Sequence, residues 1–344
     1  MNRYIIQQTV SIKEALIVLN QITSDTQTLL VVDESLKLVG TLTDGDIRRG
    51  LISGTELTDA VNSIMHKDFK FIYESEFDVA LLKEFRDKRI FFIPILDNER
   101  CIVNIVNLKK FKSHLPIDAV LMAGGKGERL RPLTEKTPKP LLKVGNKCII
   151  DYNIDRLINY GVRHISVTIN YLKEQLEEHF SVPRGNIKVK TVREPKFLGT
   201  IGSIKFVENF YNDTVLLMNS DLFTNIDYED FFLHFKEHNA DMSIAAVPYT
   251  ISVPYGIFEL EGRQVRGVLE KPTYNYYANG GIYLIKRELL DLIPEGDFFN
   301  ATDFMDMLIN KGYKVIRFPL NGTWIDIGNP QEYQKAIELV KHIK

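Results

Sequence analysis

Four apolar residues, Ala119 to Met122, run straight into a loop with glycine at positions 124, 125 and 127. No other junction in the chain limits the available folds as strongly. Glycines after a strand let the backbone approach a ligand closely, because no Cβ stands in the way. The same loop carries Lys126, Arg129 and Arg131, and Lys139 follows between Pro138 and Pro140. Successive exposed amides, ringed by guanidinium and ammonium groups, form a receptor for polyphosphate. The stretch predicts a nucleoside triphosphate or pyrophosphate site just beyond a strand. Two standard phosphate loops do not fit. A P-loop needs Ser or Thr after Gly-Lys, and Gly127 follows Gly125-Lys126. A dinucleotide fingerprint needs a glycine where Leu130 stands. It also needs an acidic residue about 20 positions further on, where Lys143, Val144 and Gly145 are found. Taken alone, the loop also reads as a surface turn with solvated charges.

Composition narrows the function classes. The 344 residues are 44% hydrophobic and 26% charged, ordinary globular material with room for two domains. A net charge of −2 provides no field that would draw the chain to nucleic acid or an anionic membrane. No apolar run reaches bilayer-spanning length. The opening MNRYIIQQTVSIKEAL lacks the apolar core and cleavage site of a secretory signal, so the cytoplasm is the expected location. Cys101 and Cys148 lie in separate regions and suggest neither a disulfide framework nor a zinc site.

Residues 1–115 contain a degenerate repeat. SIKEALIVLN followed by TLLVVDESLKLVGTLTDGDIRRGL aligns with EFDVALLKEF followed by FFIPILDNERCIVNIVNLKKF. Each copy reads as a helix, two short strands joined by an acidic turn (Asp33, Asp97), and a second helix. Two such halves predict a pseudo-twofold α/β module, each covering the other's apolar face. Pro116 marks the seam, and residues 116–344 form the second domain. There, strand runs at Ile117–Met122, Ile165–Ile169, Ile187–Val192, Val215–Met218 and Met242–Val247 alternate with helical stretches. The helices expected are Asp151–Tyr160, Leu172–Phe180, Ser203–Phe210, Tyr228–Glu237 and Pro330–Ile343. This predicts an α/β domain with a mostly parallel sheet covered on both faces. Ligands of such sheets bind at the carboxyl ends of the strands, where the glycine loop lies.

Two aspartates suit a cation there. Asp221 follows the apolar run Val215–Met218, and Asp326 sits between Ile325 and Ile327. Magnesium takes one or two protein carboxylates together with phosphate oxygens and water. The plainer alternatives are a helix cap for Asp221 and a local salt bridge for Asp326. Glu270-Lys271-Pro272 and Asn279-Gly280-Gly281 offer acceptors, donors and close backbone approach suited to a sugar phosphate. Leu198-Gly199-Thr200 and Tyr255-Gly256 read as further ligand-facing loops. Each fragment alone also reads as an ordinary turn.

Together these segments resemble the sugar-1-phosphate nucleotidyltransferases. The resemblance covers residues 117 to 344 and is carried, in family order, by LMAGGKGERLRPLT, TPKPLLKVG, LGTIGS, MNSD, EKP, NGGIY and WIDIGNP. It implies a Rossmann-like, GT-A-like sheet and transfer of a nucleoside monophosphate to a sugar-1-phosphate, with Mg2+ as cofactor. By the same resemblance Ala123, Gly124, Gly125, Gly127, Leu198 and Gly199 would receive the nucleotide. Arg129 and Lys139 would hold phosphates, and Asp221 and Asp326 the metal. Gly256, Glu270, Lys271, Asn279 and Gly280 would hold the sugar phosphate. Glu128, where many relatives carry Thr, and Ile201, in place of a common Ala, depart from the pattern.

The repeat resembles a tandem CBS module. VGTLTDGDIRR carries the family's pattern at Gly40, Thr43 and Asp46, and the resemblance implies that Thr43 and Asp46 contact a nucleotide. Asn107 and Lys110 stand at the aligned places of the second copy. Such a module, with an adenine or guanine nucleotide as effector or with assembly as its role, looks like that of the guanylyltransferases making GDP-glucosamine for nonulosonic (legionaminic) acid pathways. GTP and glucosamine-1-phosphate are therefore the expected substrates. Thymidylyl-, uridylyl-, cytidylyl- and mannose-1-phosphate guanylyltransferase activities stand as alternatives, and an inactive nucleotide sensor as a different class. A homo-oligomer is expected.

Overall fold

The computed structural model describes residues 2–22 and 26–342. Its contacts divide the chain into two units, Met1–His114 and Leu115–Lys344.

The first unit repeats one topology. Strand β1 (Ile5–Gln7), helix α1 (Ile12–Ile22) and strands β2 (Thr28–Val32) and β3 (Leu38–Thr43) make a three-stranded sheet, followed by helix α2 (Asp44–Ile52). β4 (Ile72–Tyr73), α3 (Val79–Asp87), β5 (Phe92–Leu96) and β6 (Ile102–Asn107) repeat it. In each sheet the first pair is parallel and the second antiparallel. The acidic turns match as well. Asp33 Oδ1 accepts from the Ser35 and Lys37 N–H groups, both at 2.9 Å, and Asp97 Oδ1 from Glu99 and Cys101 at 2.9 and 2.8 Å. A short acidic side chain closing its own turn accounts for Asp at both places. Leu30, Leu38, Phe69 and Leu96 form a core shared by the copies.

One predicted element is absent. After β6 the chain makes only a turn, not the second helix of the second copy. Capping chemistry gives the reason. In the first copy Thr43 and Asp46 form a reciprocal capping box at the start of α2. Lys110, at the place of Asp46, has no acceptor to return to the cap.

In the second unit, runs of apolar residues build a seven-stranded sheet. Chain order is β7 (Asp118–Met122), β8 (Lys143–Val144), β9 (Lys147–Cys148), α4 (Ile149–Asn159), β10 (His164–Ile169), α5 (Lys173–His179), β11 (Lys190–Arg193) and β12 (Thr214–Asn219). Next come β13 (Leu222–Thr224), α6 (Tyr228–Glu237), β14 (Met242–Ser252), β15 (Ile257–Glu261), β16 (Gln264–Leu269) and β17 (Thr273–Lys286). The unit closes with α7 (Ala301–Asn310), β18 (Val315–Pro319), β19 (Trp324–Asp326) and α8 (Pro330–His342). The main sheet has the order β11-β10-β7-β12-β17-β14-β18. Its pairings are parallel except where β17 runs antiparallel to both β12 and β14. The sheet is therefore mostly parallel, and β7, β10 and β12 are buried along nearly their whole length, as strands covered on both faces must be.

Several boundaries differ from expectation. The strand expected at Ile187–Val192 begins at Lys190. The helix expected over Ser203–Phe210 is a 3-10 turn, Gly202–Phe206. There the chain is drawn out toward the foot of β7, where the buried Asp118 carboxylate accepts from Tyr211 and Asn212 N–H at 2.8 Å each. Asn279-Gly280-Gly281 lies within the long strand β17 rather than in a turn. Ile343, the expected end of the last helix, lies outside the described residues.

Two cores flank the sheet. One packs Val120, Leu217, Tyr283 and Ile285 of the sheet against Phe304 and Leu308 of α7. The other joins Leu130, Leu142, Ile149, Phe223, Ile327 and Ala336. These residues come from the glycine-loop region, the lysine segment, α4, β13, the stretch after β19, and α8. The second core is thus what brings distant segments to one end of the sheet.

Replacing Asp118 by Ala strips an acceptor from the two N–H groups of residues 211 and 212. Urea unfolding should show a loss of about 1–3 kcal/mol; an unchanged midpoint would mean that water replaces the carboxylate without cost.

Candidate active site

The glycine loop leaves β7 at the carboxyl edge of the sheet. Ala123 N–H reaches Thr168 O at 2.9 Å, which fixes the start of the loop. Gly124 has no room for a side chain, since a Cβ there would lie 2.5 Å from Glu194 Oε1. Gly127 adopts φ 63°, and its carbonyl accepts from Thr134 Oγ1 at 2.8 Å. The loop then tightens into a 3-10 turn, Glu128–Leu130, which presents Arg129. Lys139 opens a second 3-10 turn between two prolines and is 9% exposed.

Both candidate metal aspartates reach this point through one short ladder. β13 and β19 pair antiparallel, with Leu222 opposite Asp326, so Asp221 and Asp326 emerge side by side although a hundred residues separate them in sequence. Ile327 N–H to Asp221 O, at 3.2 Å, continues the clasp. Lys139 Nζ bonds Asp221 Oδ2 and stands 3.9 Å from Asp326 Oδ1. Arg129 lies against Gly328, where a Cβ would come 2.8 Å from the guanidinium. The structure therefore brings Arg129, Lys139, Asp221 and Asp326 together. Asp221 does not cap a helix; Asp227 caps α6, accepting from Glu229 and Asp230 N–H at 3.0 Å each.

Electrostatics make the pair responsive to a cation. Burial, and then the Asp221 charge, push the Asp326 carboxyl above the usual carboxylate range, while Lys139 and Arg129 pull it part of the way back. Asp221 Oδ1 is buried with no hydrogen-bond partner. An orphaned carboxylate oxygen beside a second carboxylate is an all-oxygen donor set, and that suits a hard divalent cation. In this structure the Lys139 ammonium neutralises part of that charge. A second grouping, Cys148, Asp151 and His179, has its ligand atoms within 4.8 Å of one another. The Arg184 guanidinium bonds both Asp151 and His179 there and already supplies the positive charge.

Beside the aspartates opens a cavity of about 630 Å3. Ala123, Gly124, Gly125, Gly127, Arg129, Lys139 and Asp221 line it. No histidine does, among the described residues. Leu198 is fully buried and Gly199 packs on the Phe299 carbonyl, so neither lines the cavity; Phe197 does. The expected sugar-phosphate residues do not line it either. Gly256, Glu270, Lys271 and Asn279 are exposed on the ribbon extending from the sheet and the hairpin β15–β16 it carries. Gly256 and Glu270 lie together, 3.1 Å from a Cβ at 256 to Glu270 Oε2. Asn279 is tied within its own strand, to Tyr283 Oη and Gly281 N–H at 2.9 Å each. Gly280 is buried, and its carbonyl accepts from Trp324 Nε1 at 2.9 Å, which links this strand to β19 and so to Asp326. In the first unit Thr43 borders a separate cavity of about 360 Å3, but Asp46 does not. The Asp46 carboxylate is taken up by Thr43 and Arg49.

Sequence reasoning passed over Glu194, Asn170 and Phe197. Asn170 and Phe197 line the cavity. Glu194 is 5% exposed behind Gly124, and its Oε2 meets no donor. Burial pushes its carboxyl up, partly offset by the Leu198 N–H and the side chains of Ser203, Asn170 and Thr168. A carboxylate immediately after an edge strand and before Pro195 was the available signal.

Residues 118–342 match the nucleotidyl transferase family, and the chain belongs to it. Among its relatives is the mannose-1-phosphate guanylyltransferase catalytic subunit beta of Xenopus tropicalis, 27% identical over 224 residues, 62% of this chain and 62% of that protein. The bifunctional protein GlmU of Methanococcus maripaludis is 30% identical over 230 residues, 64% of this chain and 53% of that protein. The chain thus spans little more than half to three-fifths of these relatives. A crystal structure of a provisionally named glucose-1-phosphate thymidylyltransferase from Bacillus anthracis shares the fold, with a TM-score of 0.52 and 21% identity over 66% of this chain and 96% of that one.

The raised Asp326 carboxyl sets the direction of two pH effects. Protonation competes with a cation, so Mn2+ affinity measured by calorimetry should fall as pH drops through that raised value, and Asp326→Asn should flatten the dependence. Because the folded value lies above the unfolded one, metal-free protein loses stability as pH rises through this window. Asp326→Asn should therefore raise the melting temperature of metal-free protein at neutral pH. A lowered one would contradict the electrostatic reading.

Proposed function

We propose that this chain is a Mg2+-dependent guanylyltransferase that joins GTP to a hexose-1-phosphate and releases pyrophosphate. The observation that carries the reading is the convergence of Asp221, Asp326, Lys139 and Arg129 at the edge of a cavity floored by glycines. A sugar-phosphate oxygen attacks the α-phosphorus of the triphosphate, the bond to the β-phosphate oxygen breaks, and pyrophosphate leaves with the electron pair. The nucleophile is already an anion, so no general base is needed. The obstacles are repulsion between anions and alignment. Arg129 and Lys139 offset the phosphate charge, and Asp221 and Asp326 are the residues that would hold the metal. A bound dication would stabilise the developing charge on the leaving group. The glycine loop lets the triphosphate lie against backbone N–H groups and orients it.

Guanine comes first because a guanylyltransferase stands among the relatives. For the sugar, mannose-1-phosphate comes first because a guanylyltransferase relative carries that name. Glucosamine-1-phosphate is the second reading, favoured by the doubled module at residues 1–114. We read that module as a tandem CBS unit whose cavity, bordered by Thr28, Thr43, Arg48, Arg89 and Lys109, suits a nucleotide effector. The exposed ribbon, with Tyr249, Tyr274, Tyr276 and Tyr277 at its surface, supports a homo-oligomer.

A grid of triphosphates against sugar-1-phosphates, read by pyrophosphate release, tests the proposal. GTP with mannose- or glucosamine-1-phosphate should give the highest kcat/KM. Silence across the grid, with nucleotide still bound by the first unit, would make the chain a nucleotide sensor instead.

A further inference from the structure

Asp221 sits in a turn between two strands, and a turn does not by itself hold a carboxylate still. The residue that grips this turn comes from another element. Asn153, on α4, is fully buried. Its Nδ2 lies 2.8 Å from Leu222 O and 3.5 Å from Ser220 O. Those are the carbonyls of the residues on either side of Asp221. Its Oδ1 has no partner, so only the donor end of the amide is used. Three residues along the same helix, the Arg156 guanidinium bonds Ile226 O. Two side chains of α4 thus hold the carbonyls of one segment, 220–226. Backbone contacts complete the hold, from Ser220 N–H to Met122 O and from Ile327 N–H to Asp221 O, both at 3.2 Å.

We infer that Asn153 is a positioning residue for the cation site, fixing the Asp221 carboxylate by donating to the carbonyls that flank it. The inference rests on the reading of Asp221 as a cation ligand. The chemistry favours Asn over its near relatives. Asp at 153 would set an anion against two carbonyl oxygens, and Leu would fill a similar volume and leave Leu222 O without this donor. A buried amide with one end unpartnered is costly in stability, and a fold needing only packing at this point would do better with an apolar residue. Groups that orient a metal ligand change metal affinity by roughly 10–100-fold when removed.

The test is Mn2+ binding to the full chain without nucleotide, by electron paramagnetic resonance, alongside steady-state kinetics. Asn153→Leu and Asn153→Asp should weaken Mn2+ at least about tenfold and lower kcat, with KM for the sugar phosphate little changed. Asp118→Ala, which loosens the fold at the opposite end of β7, serves as the stability control and should keep wild-type Mn2+ affinity. Wild-type affinity in the Asn153 variants would overturn the inference, as would an equal loss in Asp118→Ala. If Asn153→Leu does not fold, the isosteric Asn153→Asp decides. Asp221→Asn separates the two claims: wild-type affinity there removes Asp221 from the cation site and overturns the functional reading itself.

Discussion

Two carboxylates held side by side at the edge of a sheet must be balanced by positive charge, and most of what is distinctive in the second unit answers that need. Asp221 and Asp326 come together because β13 and β19 pair with Leu222 opposite Asp326. The ladder has only three residues on each strand, too few to persist in water unaided. It is sustained by the core of Leu130, Leu142, Ile149, Phe223 and Ile327, which joins the cation-bearing loops to the same ladder. Packing and electrostatics are therefore coupled: the contacts that bury the apolar residues also bring Lys139 and Arg129 to the aspartates.

Lys139 supplies the positive charge closest to the pair. Its ammonium lies on Asp221 and near Asp326, nearly buried, where an unpaired charge on either side would be costly. A dication binding both carboxylates would release that ammonium toward the cavity, where phosphate is expected. One lysine would then serve two anions in turn. Burial and the neighbouring Asp221 charge both disfavour the ionised Asp326 carboxyl, which is the direction of its shift.

The central sheet was legible because its evidence is local. Val215–Met218 is an unbroken apolar run and Ile165–Ile169 a β-branched one carrying only Ser166 and Thr168 between its apolar residues, as doubly covered strands require, and glycines after β7 mark a close approach. The four charged residues of the site stand beside a glycine, two prolines or the end of an apolar strand, but each signal alone also reads as an ordinary turn, cap or ion pair, and it was the order of the segments along the chain that singled them out. What sequence could not show depends on partners far away. Asn153 looks like any polar residue on a helix until the carbonyls of 220 and 222 are placed beside it. The second copy lacks the Thr43–Asp46 capping box, with Asn107 and Lys110 at those places, a difference that periodicity does not register. The sugar-phosphate motif led to an exposed ribbon rather than to the cavity lining, because a motif fixes local geometry and not where a long strand projects.

The most direct measurement is anomalous diffraction from crystals grown with Mn2+ and a non-hydrolysable triphosphate. One or more Mn2+ peaks should lie within coordination distance, about 2.0–2.2 Å for a hard divalent ion, of oxygens from both Asp221 and Asp326, with Lys139 Nζ moved off Asp221 onto a phosphate. Metal bound elsewhere, with Lys139 still on Asp221, would contradict that arrangement.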